Sequence, residues 1–512
     1  MNLAEEALSA ARPPESLDKP AFYTTSGPIT HAEFRRFVLT TANDLLGLGI
    51  QPGDKVLLRM TNSVEFAAAF LAAVWIGAIP VLVNSQFGRA EIEHIVNLSR
   101  PAAVLYLPNM PDKEATQSLT PNSKGVIVTR DGLQTLSGEH SGESRTVDLD
   151  PFNAGRDDVA FVVFTSGTTG KPKGVVHAHR WLSALGDSNR ARVTPQPNDV
   201  VLATGEWSFI SALGHNVLFP LRNSVAGSIM EDRASPERIL ATIARDKVTL
   251  LHSVATLYRR ILGTPGIELQ FDLSSLRGAN STGEPLEASV RHEWNRRIGC
   301  PIWDHYGVSE AQMVLGDGPS TTQKEGSVGK SWGAAPMILD DDGRQMPAGT
   351  VGRLAFDNSY PGFFLGYLND PEQTRKTLRR GLFLTNDLAR MDDDGYVYIL
   401  GRADDCFKSK GVLIVPSELE SAILSLGAFE EACVFAIPDA EIGNRIGVAV
   451  IPRAGALPKI STQGGLSAAL EGVIASFKIP HQMTTMNQLP KNANGKTQRS
   501  EVARLATKAM TG

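Results

Sequence analysis

The sequence predicts an α/β protein: a large N-terminal domain of mixed and largely parallel sheets with helices, then a small α+β C-terminal domain. Three observations carry that expectation. Short apolar runs alternate with amphipathic stretches along most of the chain, the pattern of strand–helix–strand units. The 512 residues exceed what one hydrophobic core organises, so at least two domains are needed. The chain also changes character at Gly401, where the charged turn Gly401-Arg402-Ala403-Asp404-Asp405 opens a final segment. The economical division is therefore 1–400 and 401–512.

The elements follow in order. Residues 55–59 and 79–83 read as strands that bracket a helical pattern over 63–76. Within this region the run 66–83 is long enough to imitate a membrane span. Gly77 and Pro80 interrupt it, and a helix followed by a buried strand explains it better. Residues 102–107 and 125–129 are further short strands, and 151–158 is a polar connector. Residues 159–164 form a continuous apolar strand that runs straight into a turn rich in Ser, Thr and Gly. Beyond Gly401, the strand-like run 412–416 leads to Ser417 and Glu420, spaced as a capping box before a helix that stops near Gly427. No internal repeat or low-complexity tract is visible.

Composition excludes several function classes. With 42% apolar and 21% charged residues the chain is of ordinary globular type. Fifty basic against 55 acidic residues leave a formal charge of −5, which offers no general attraction to nucleic acid or an anionic membrane. An anionic ligand must then be held by local groups. Cys300, Cys406 and Cys433 lack CxxC spacing, which argues against a disulfide framework or a zinc site. The first ten residues show no basic segment followed by an apolar run, so a cytoplasmic protein is expected. Monomer and homodimer both stand as expectations for its assembly.

The strongest local signal is Thr165-Ser166-Gly167-Thr168-Thr169-Gly170-Lys171-Pro172-Lys173-Gly174. Its glycines let backbone N–H groups turn toward one point, its hydroxyls add donors, and two lysines supply charge. A polyphosphate needs those groups. It is not a Walker loop, because Thr165 stands where that motif needs Gly and Pro172 where it needs Ser or Thr.

This decapeptide resembles the signature of the adenylate-forming superfamily: acyl- and aryl-CoA synthetases, peptide-synthetase adenylation domains and luciferases. Further motifs follow in the family's order. Asn280-Ser281-Thr282-Gly283-Glu284-Pro285-Leu286 is similar to the adenine-side loop, and Tyr306-Gly307-Val308-Ser309-Glu310 resembles YGxTE with Ser for Thr. The stretch 366–374 matches a structural turn in which Asp370 and Pro371 make an N-cap and N1 pair. Thr385-Asn386-Asp387 stands for TGD; Asn is the residue after Gly that best accepts a left-handed backbone, so the turn is expected to survive. Gly401 to Asp405 looks like the hinge motif, and Asn494-Gly495-Lys496 resembles the motif of the catalytic lysine. The resemblance spans roughly residues 20 to 500 and is nearest in character to benzoate- and anthranilate-type CoA ligases.

The resemblance implies ATP-dependent activation of a small carboxylic acid as its acyl-adenylate, then transfer to the CoA thiol with release of AMP. Thr165, Ser166, Gly167, Thr168, Thr169 and Lys173 would bind the phosphates, and Glu310 would take Mg²⁺ through carboxylate oxygen. Ser309 would offer its hydroxyl to the α-phosphate. Tyr306 would lie on the adenine, with Gly283, Glu284 and Pro285 as the opposite wall. Asp387 would accept the ribose hydroxyls, supported by Arg402. Lys496 would sit between the acid carboxylate and the α-phosphate, stabilising charge as the bond forms. Asp404 would be the hinge on which a mobile C-terminal domain turns between half-reactions.

By analogy the acid pocket is drawn from Trp207, Phe209, Ser211, His215, Asn280 and His305. Ile210 follows Phe209 where amino-acid-activating relatives carry Asp, which disfavours a free α-amino acid. An aromatic or compact cyclic acid is the first expectation and a medium-chain aliphatic acid the second. His215 and His305 could bond a polar ring substituent, and each is equally a structural histidine. Another acceptor (a carrier protein, an amine), activation of another oxyanion such as nitrite, or a catalytically idle nucleotide-binding relative are the competing readings. Cys406, beside the hinge, reads as a packed cysteine and not as a thiol acceptor.

Overall fold

Two sheets in the first part of the chain set out where chemistry can happen. The computed structural model describes residues 1–9, 16–136, 149–165, 171–453, 460, 462–491 and 497–511. Two compact units emerge: one of residues 1–335 and 356–383, the other of 336–355 and 384–512.

In the first unit a nine-stranded sheet runs from Lys330–Ser331 at one edge through Ala311–Gly316, Ile302–Val308, Gly278–Thr282, Leu250–Ser253, Val200–Ala203, Ala226–Ser228 and Pro20–Thr24 to Gly27–Thr30. The pairings from Ile302–Val308 across to Pro20–Thr24 are parallel. An eight-stranded sheet places Val159–Thr165 between Lys173–Ala178 and Ile79–Leu82, and Lys173–Ala178 in turn pairs with the short strand Gly366–Tyr367. A strand buried on both faces needs a continuous apolar run, which the sequence supplies at residues 159–164, parallel to Ile79–Leu82 and antiparallel to Lys173–Ala178.

The ambiguous run 66–83 resolves as a helix and a strand. Val64–Trp75 is a helix capped by Ser63, whose Oγ accepts the Phe66 N–H at 3.1 Å, and Ile79–Leu82 is a strand. All but Glu65 of that helix are buried. A helix apolar all round belongs in a core, and each fully buried Phe or Leu contributes about 1.5–3 kcal/mol. Phe66 and Phe70 join Val56 and Leu58 of one sheet and Phe22 and Ala203 of the other in a single core. The opposite face of the nine-stranded sheet packs Leu251, Ala279 and Ile302 against Ile239, Leu240 and Ile243.

The second unit contains an antiparallel pair, Phe429–Asp439 with Gly443–Pro452, joined in parallel by Gln482–Thr485 and packed by the helices Pro416–Ser425 and Arg499–Thr511. Two local expectations are corrected here. Ser417 and Glu420 form no capping box. The N-cap is Val415, Ser417 Oγ donates to the Leu400 carbonyl, and Glu420 accepts the Val434 N–H at 2.7 Å and the Arg499 guanidinium. Both side chains are drawn into tertiary bonds that outcompete the local one. Asn386 needs no left-handed backbone: it lies within the strand Leu382–Met391 and is absent from the residues of positive φ. The Asp370 cap does form, its Oδ1 accepting the Gln373 N–H at 2.9 Å with Pro371 at N1.

Candidate active site

The turn that joins Ile302–Val308 to Ala311–Gly316 presents Ser309 and Glu310, and three neighbours hold it. His177, from the strand Lys173–Ala178, donates Nε2–H to the Ser309 carbonyl at 3.0 Å. Burial pushes its pKa down to about 3, so the ring is neutral, and it stacks on Phe161 with centroids 4.9 Å apart. Phe364 N–H donates to the Glu310 carbonyl at 2.8 Å. The phenol of Tyr367 donates to Glu310 Oε1 at 2.6 Å, a charge-assisted bond of the strong kind. Gly307 is required just before this turn, because a Cβ there would lie 2.9 Å from both the Gln312 carbonyl oxygen and Met313 Sδ.

Tyr367 also meets Lys173. Lys173 Nζ lies 5.7 Å from its ring centroid, and the pairings of Gly366 with Val176 and Tyr367 with Val175 fix that approach. Lys173 and Glu310, from motifs 137 residues apart, therefore meet at one phenol. Thr165 and Lys173 are register partners at the mouth of the loop. Ser166, Gly167, Thr168, Thr169 and Lys496 lie outside the described residues.

On the expected adenine side, Gly283 and Pro285 are exposed and Tyr306 is half-buried. The Glu284 carboxylate is engaged elsewhere, accepting the Thr256 N–H at 2.9 Å and the Thr256 hydroxyl at 2.7 Å, at the start of the helix Ala255–Leu262. In the second unit Asp387 is buried, its N–H bonded to Thr385 Oγ1 at 3.2 Å. Arg402 is its register partner, with Nε 3.8 Å from Asp387 Oδ1. Asp404 is tied to Asn386, whose Nδ2 donates to Asp404 Oδ2 at 2.5 Å. Cys406 is half-buried, and burial pushes its thiol up to about 11, which suits packing and not thiolate chemistry.

The acid-pocket candidates divide. Trp207 does not join them: its indole lies in the core between Phe22 and Phe66, and its backbone N–H donates to Asn62 Oδ1 at 2.7 Å. Phe209 is the half-buried N-cap of the helix Ile210–Leu213, which continues through a π-helical stretch, Gly214–Leu218, into Phe219–Asn223. Such stretches often accompany functional sites because they displace side chains from regular spacing. His215, within it, donates Nδ1–H to the Ser211 carbonyl at 2.8 Å and stacks on His252, with centroids 3.9 Å apart and planes 5° from parallel. Asn280 and His305 project from the same sheet face as His252: His252 pairs with Asn280, and His305 with Thr282 two residues further on. Burial lowers the pKa of His215 to about 4 and holds His252 and His305 well below the ordinary value.

Sequence reading missed His177, Arg192, His252 and Tyr367. The last sat inside a motif read as purely structural; the other three carry no local signal, since only the sheet register and helix packing bring them in.

Residues 9–368 match the family described as AMP-binding enzyme, and residues 418–496 match the AMP-binding enzyme C-terminal domain. The chain belongs to the AMP-binding enzyme family. Among similar proteins is the 3-hydroxybenzoate–CoA ligase of Aromatoleum sp. (strain CIB), 28% identical over 99% of this chain and 97% of the relative. The uncharacterized acyl–CoA ligase YtcI of Bacillus subtilis (strain 168) is 31% identical over 90% of this chain and 87% of the relative. The anthranilate CoA ligase AuaEII, solved in complex with anthranoyl-AMP, superposes with a TM-score of 0.89 at 26% identity, covering 100% of this AMP-binding enzyme and 98% of that chain. Among the described residues no helix of this enzyme is long and apolar enough to cross a membrane.

Proposed function

We propose that this AMP-binding enzyme adenylates a small aromatic or cyclic carboxylic acid with ATP and passes the acyl group to CoA. The acid carboxylate would attack the α-phosphorus, with pyrophosphate leaving. The CoA sulfur would then attack the acyl carbon, lose its proton, and expel AMP. Anions that repel one another react in the first step, so positioning and positive charge are what the protein must supply.

One observation carries the reading: Tyr367 joins Lys173, a cation for the phosphates, to Glu310, an oxygen donor for a divalent ion. Glu310 fits Mg²⁺, because a hard cation takes carboxylate oxygen and, among the described residues, Oε2 receives no hydrogen bond. The ion would neutralise phosphate charge. Asp387 with Arg402 would take the ribose, Tyr306 the adenine, and Ser309 the α-phosphate. Gly283 and Pro285 would shape the adenine wall, with Glu284 contributing backbone while its carboxylate caps a helix. Lys496 would be the catalytic cation, and Asp404 the hinge of a mobile domain beginning near Gly401. A cytoplasmic location accords with this chemistry, since ATP and CoA are cytoplasmic metabolites. The aromatic preference draws on the relatives named for hydroxybenzoate and anthranilate.

Pyrophosphate release across a panel of acids, with and without CoA, tests the proposal. Release dependent on an aromatic acid, with matching CoA consumption, is expected. Release without CoA consumption would overturn the choice of acceptor, and no release with any acid would overturn the adenylation itself.

A further inference from the structure

The buried acid-pocket candidates and their neighbours keep polar atoms that no described group satisfies, among them His252 Nδ1 and atoms of four other residues. Arg192, fully buried on the helix Trp181–Val193, donates Nη2–H to the Met313 carbonyl, but its Nε and Nη1 have no partner. His215 Nε2, His305 Nδ1 and Asn280 Oδ1 are likewise buried and unpartnered. All four residues are at most 4% exposed. They converge: Asn280 and His305 share a sheet face with His252, His215 stacks on His252, and the Arg192 charge acts on both His215 and His305. Leaving one buried polar atom unsatisfied costs about 1–3 kcal/mol, so a cluster of this size is the wall of something that binds.

The hydrogen bonds these side chains do make fix what the remaining atoms can do. A carbonyl oxygen only accepts, so His215 must place its proton on Nδ1 to bond Ser211, and His305 must place its proton on Nε2 to bond Asp317 at 3.1 Å. Both rings are neutral, so His215 Nε2 and His305 Nδ1 are lone pairs that require a donor. Arg192 Nε–H and Nη1–H are donors that require an acceptor. A methyl or halogen satisfies neither set, and an ether or carboxylate oxygen satisfies only the arginine. A hydroxyl satisfies both.

We propose that the Arg192–His215–His305 cluster is a specificity subsite that reads a hydroxyl group on the acid, its oxygen accepting from Arg192 and its proton donated to a histidine lone pair. This rests on the aromatic-acid reading above and adds to it the substituent and the residues that select it. His252 supports His215 through the stack and is a positioning residue.

The experiment compares benzoate with its hydroxy, methoxy and methyl derivatives at each ring position, by kcat/KM for pyrophosphate release. At one ring position the hydroxy acid is expected to exceed both the methoxy acid and benzoate by roughly 100-fold or more, since a site built to bond a hydroxyl rejects analogues that leave it unpaired. In Arg192→Met the hydroxy-to-methoxy ratio at that position should fall at least tenfold, whatever the absolute rates. Turnover of benzoate with hydroxy and methoxy acids used equally at every position would overturn the subsite and leave the adenylation reading standing. An unchanged ratio in Arg192→Met would also overturn it. No turnover of any of these acids would overturn the aromatic-acid reading, and the subsite with it. Should Arg192→Met fail to fold, the wild-type ratio alone decides.

Discussion

Ser309 and Glu310 are gripped by His177, Phe364 and Tyr367, whereas Arg192, His215, His305 and Asn280 each keep a buried polar atom with no described partner. The two regions are neighbours: Ser309 and Glu310 sit in the turn that follows Ile302–Val308, the strand that carries His305, whereas Arg192, His215 and Asn280 come from the helix Trp181–Val193, the π-helical stretch and the strand Gly278–Thr282. The difference lies in what each is proposed to meet. A side that always receives the same triphosphate gains by completing its own bonds, so that the carboxylate is preorganised and pays no reorganisation when ATP arrives. A side that must choose among acids gains by leaving bonds for the right one to complete. Satisfaction of the groups aimed at the ligand, and not of every buried atom (His177 Nδ1 also lacks a described partner), thus separates positioning from selection.

Four substitutions or conditions press on that contrast. The largest effect is expected from Lys496→Ala, which should lower adenylation by about 100-fold or more, the scale of losing one preorganised charge donor, while ATP still binds. Undiminished adenylate formation would remove Lys496 from the chemistry. Next, Tyr367→Phe deletes the donor to Glu310; a bond to a charged group is worth about 1.5–3 kcal/mol, so half-saturation by MgATP should rise roughly tenfold or more while the KM for the acid moves little. A change confined to the acid KM would put Tyr367 on the other side of the comparison.

Acid should destabilise the fold from both regions at once. Burial holds His177 at about 3, and His179 and His215 at about 4, against an ordinary 6.5. These folded values lie below the unfolded one, so the contribution is neutral above pH 7. Stability is lost as pH falls through 6.5 toward 4, at up to about 1.4 kcal/mol per pH unit for each ring. Asp317 opposes this: burial raises its carboxyl to about 6, so the folded state takes up its proton first and gains stability as pH falls from 6 to 4. His252 and His305, also held low by burial, add to the loss, and the buried Asp304, held high by burial, sides with Asp317. Five buried rings against two carboxyls predict a lower urea midpoint at pH 5 than at pH 7, and a flatter loss in His215→Gln. A midpoint that rises on acidification would contradict the neutral-histidine picture. The smallest effect belongs to Glu284→Gln, which should cost about 1 kcal/mol of stability through the Thr256 contact and leave ATP half-saturation within about twofold. A tenfold rise in ATP half-saturation would return the carboxylate to the nucleotide.

The same contrast governs how much could be read beforehand. The helix–strand resolution of residues 66–83 and the Asp370 cap were legible because their causes are local: periodicity, a breaking glycine, a short polar side chain at a helix start. Glu310 and Lys173 were legible because their motifs carry the chemistry on contiguous residues. Ser417 and Glu420 misled, since a capping spacing cannot reveal that the Leu400 carbonyl takes the Ser417 hydroxyl proton while the Val434 N–H and the Arg499 guanidinium take the Glu420 carboxylate. Asn386 misled in the opposite sense: a position filled by Gly in the family motif implied a left-handed turn, and the chain instead runs extended there. Trp207 read as pocket and is core, because its ring packs against Phe22 and Phe66, partners that lie more than 140 residues away in the chain. Arg192 and His252 carried no signal at all. Their meaning arises from sheet register and from a π-helical stretch, neither of which a spacing rule anticipates.

Exchange of labelled pyrophosphate into ATP, without CoA, tests the central claim most directly, because it reports the reversible adenylation step alone. The account predicts exchange that is absent without acid, appears with a hydroxylated aromatic acid, and disappears in Lys496→Ala. Exchange that proceeds equally with no acid present, or that no acid of the panel elicits although ATP binds, would contradict it.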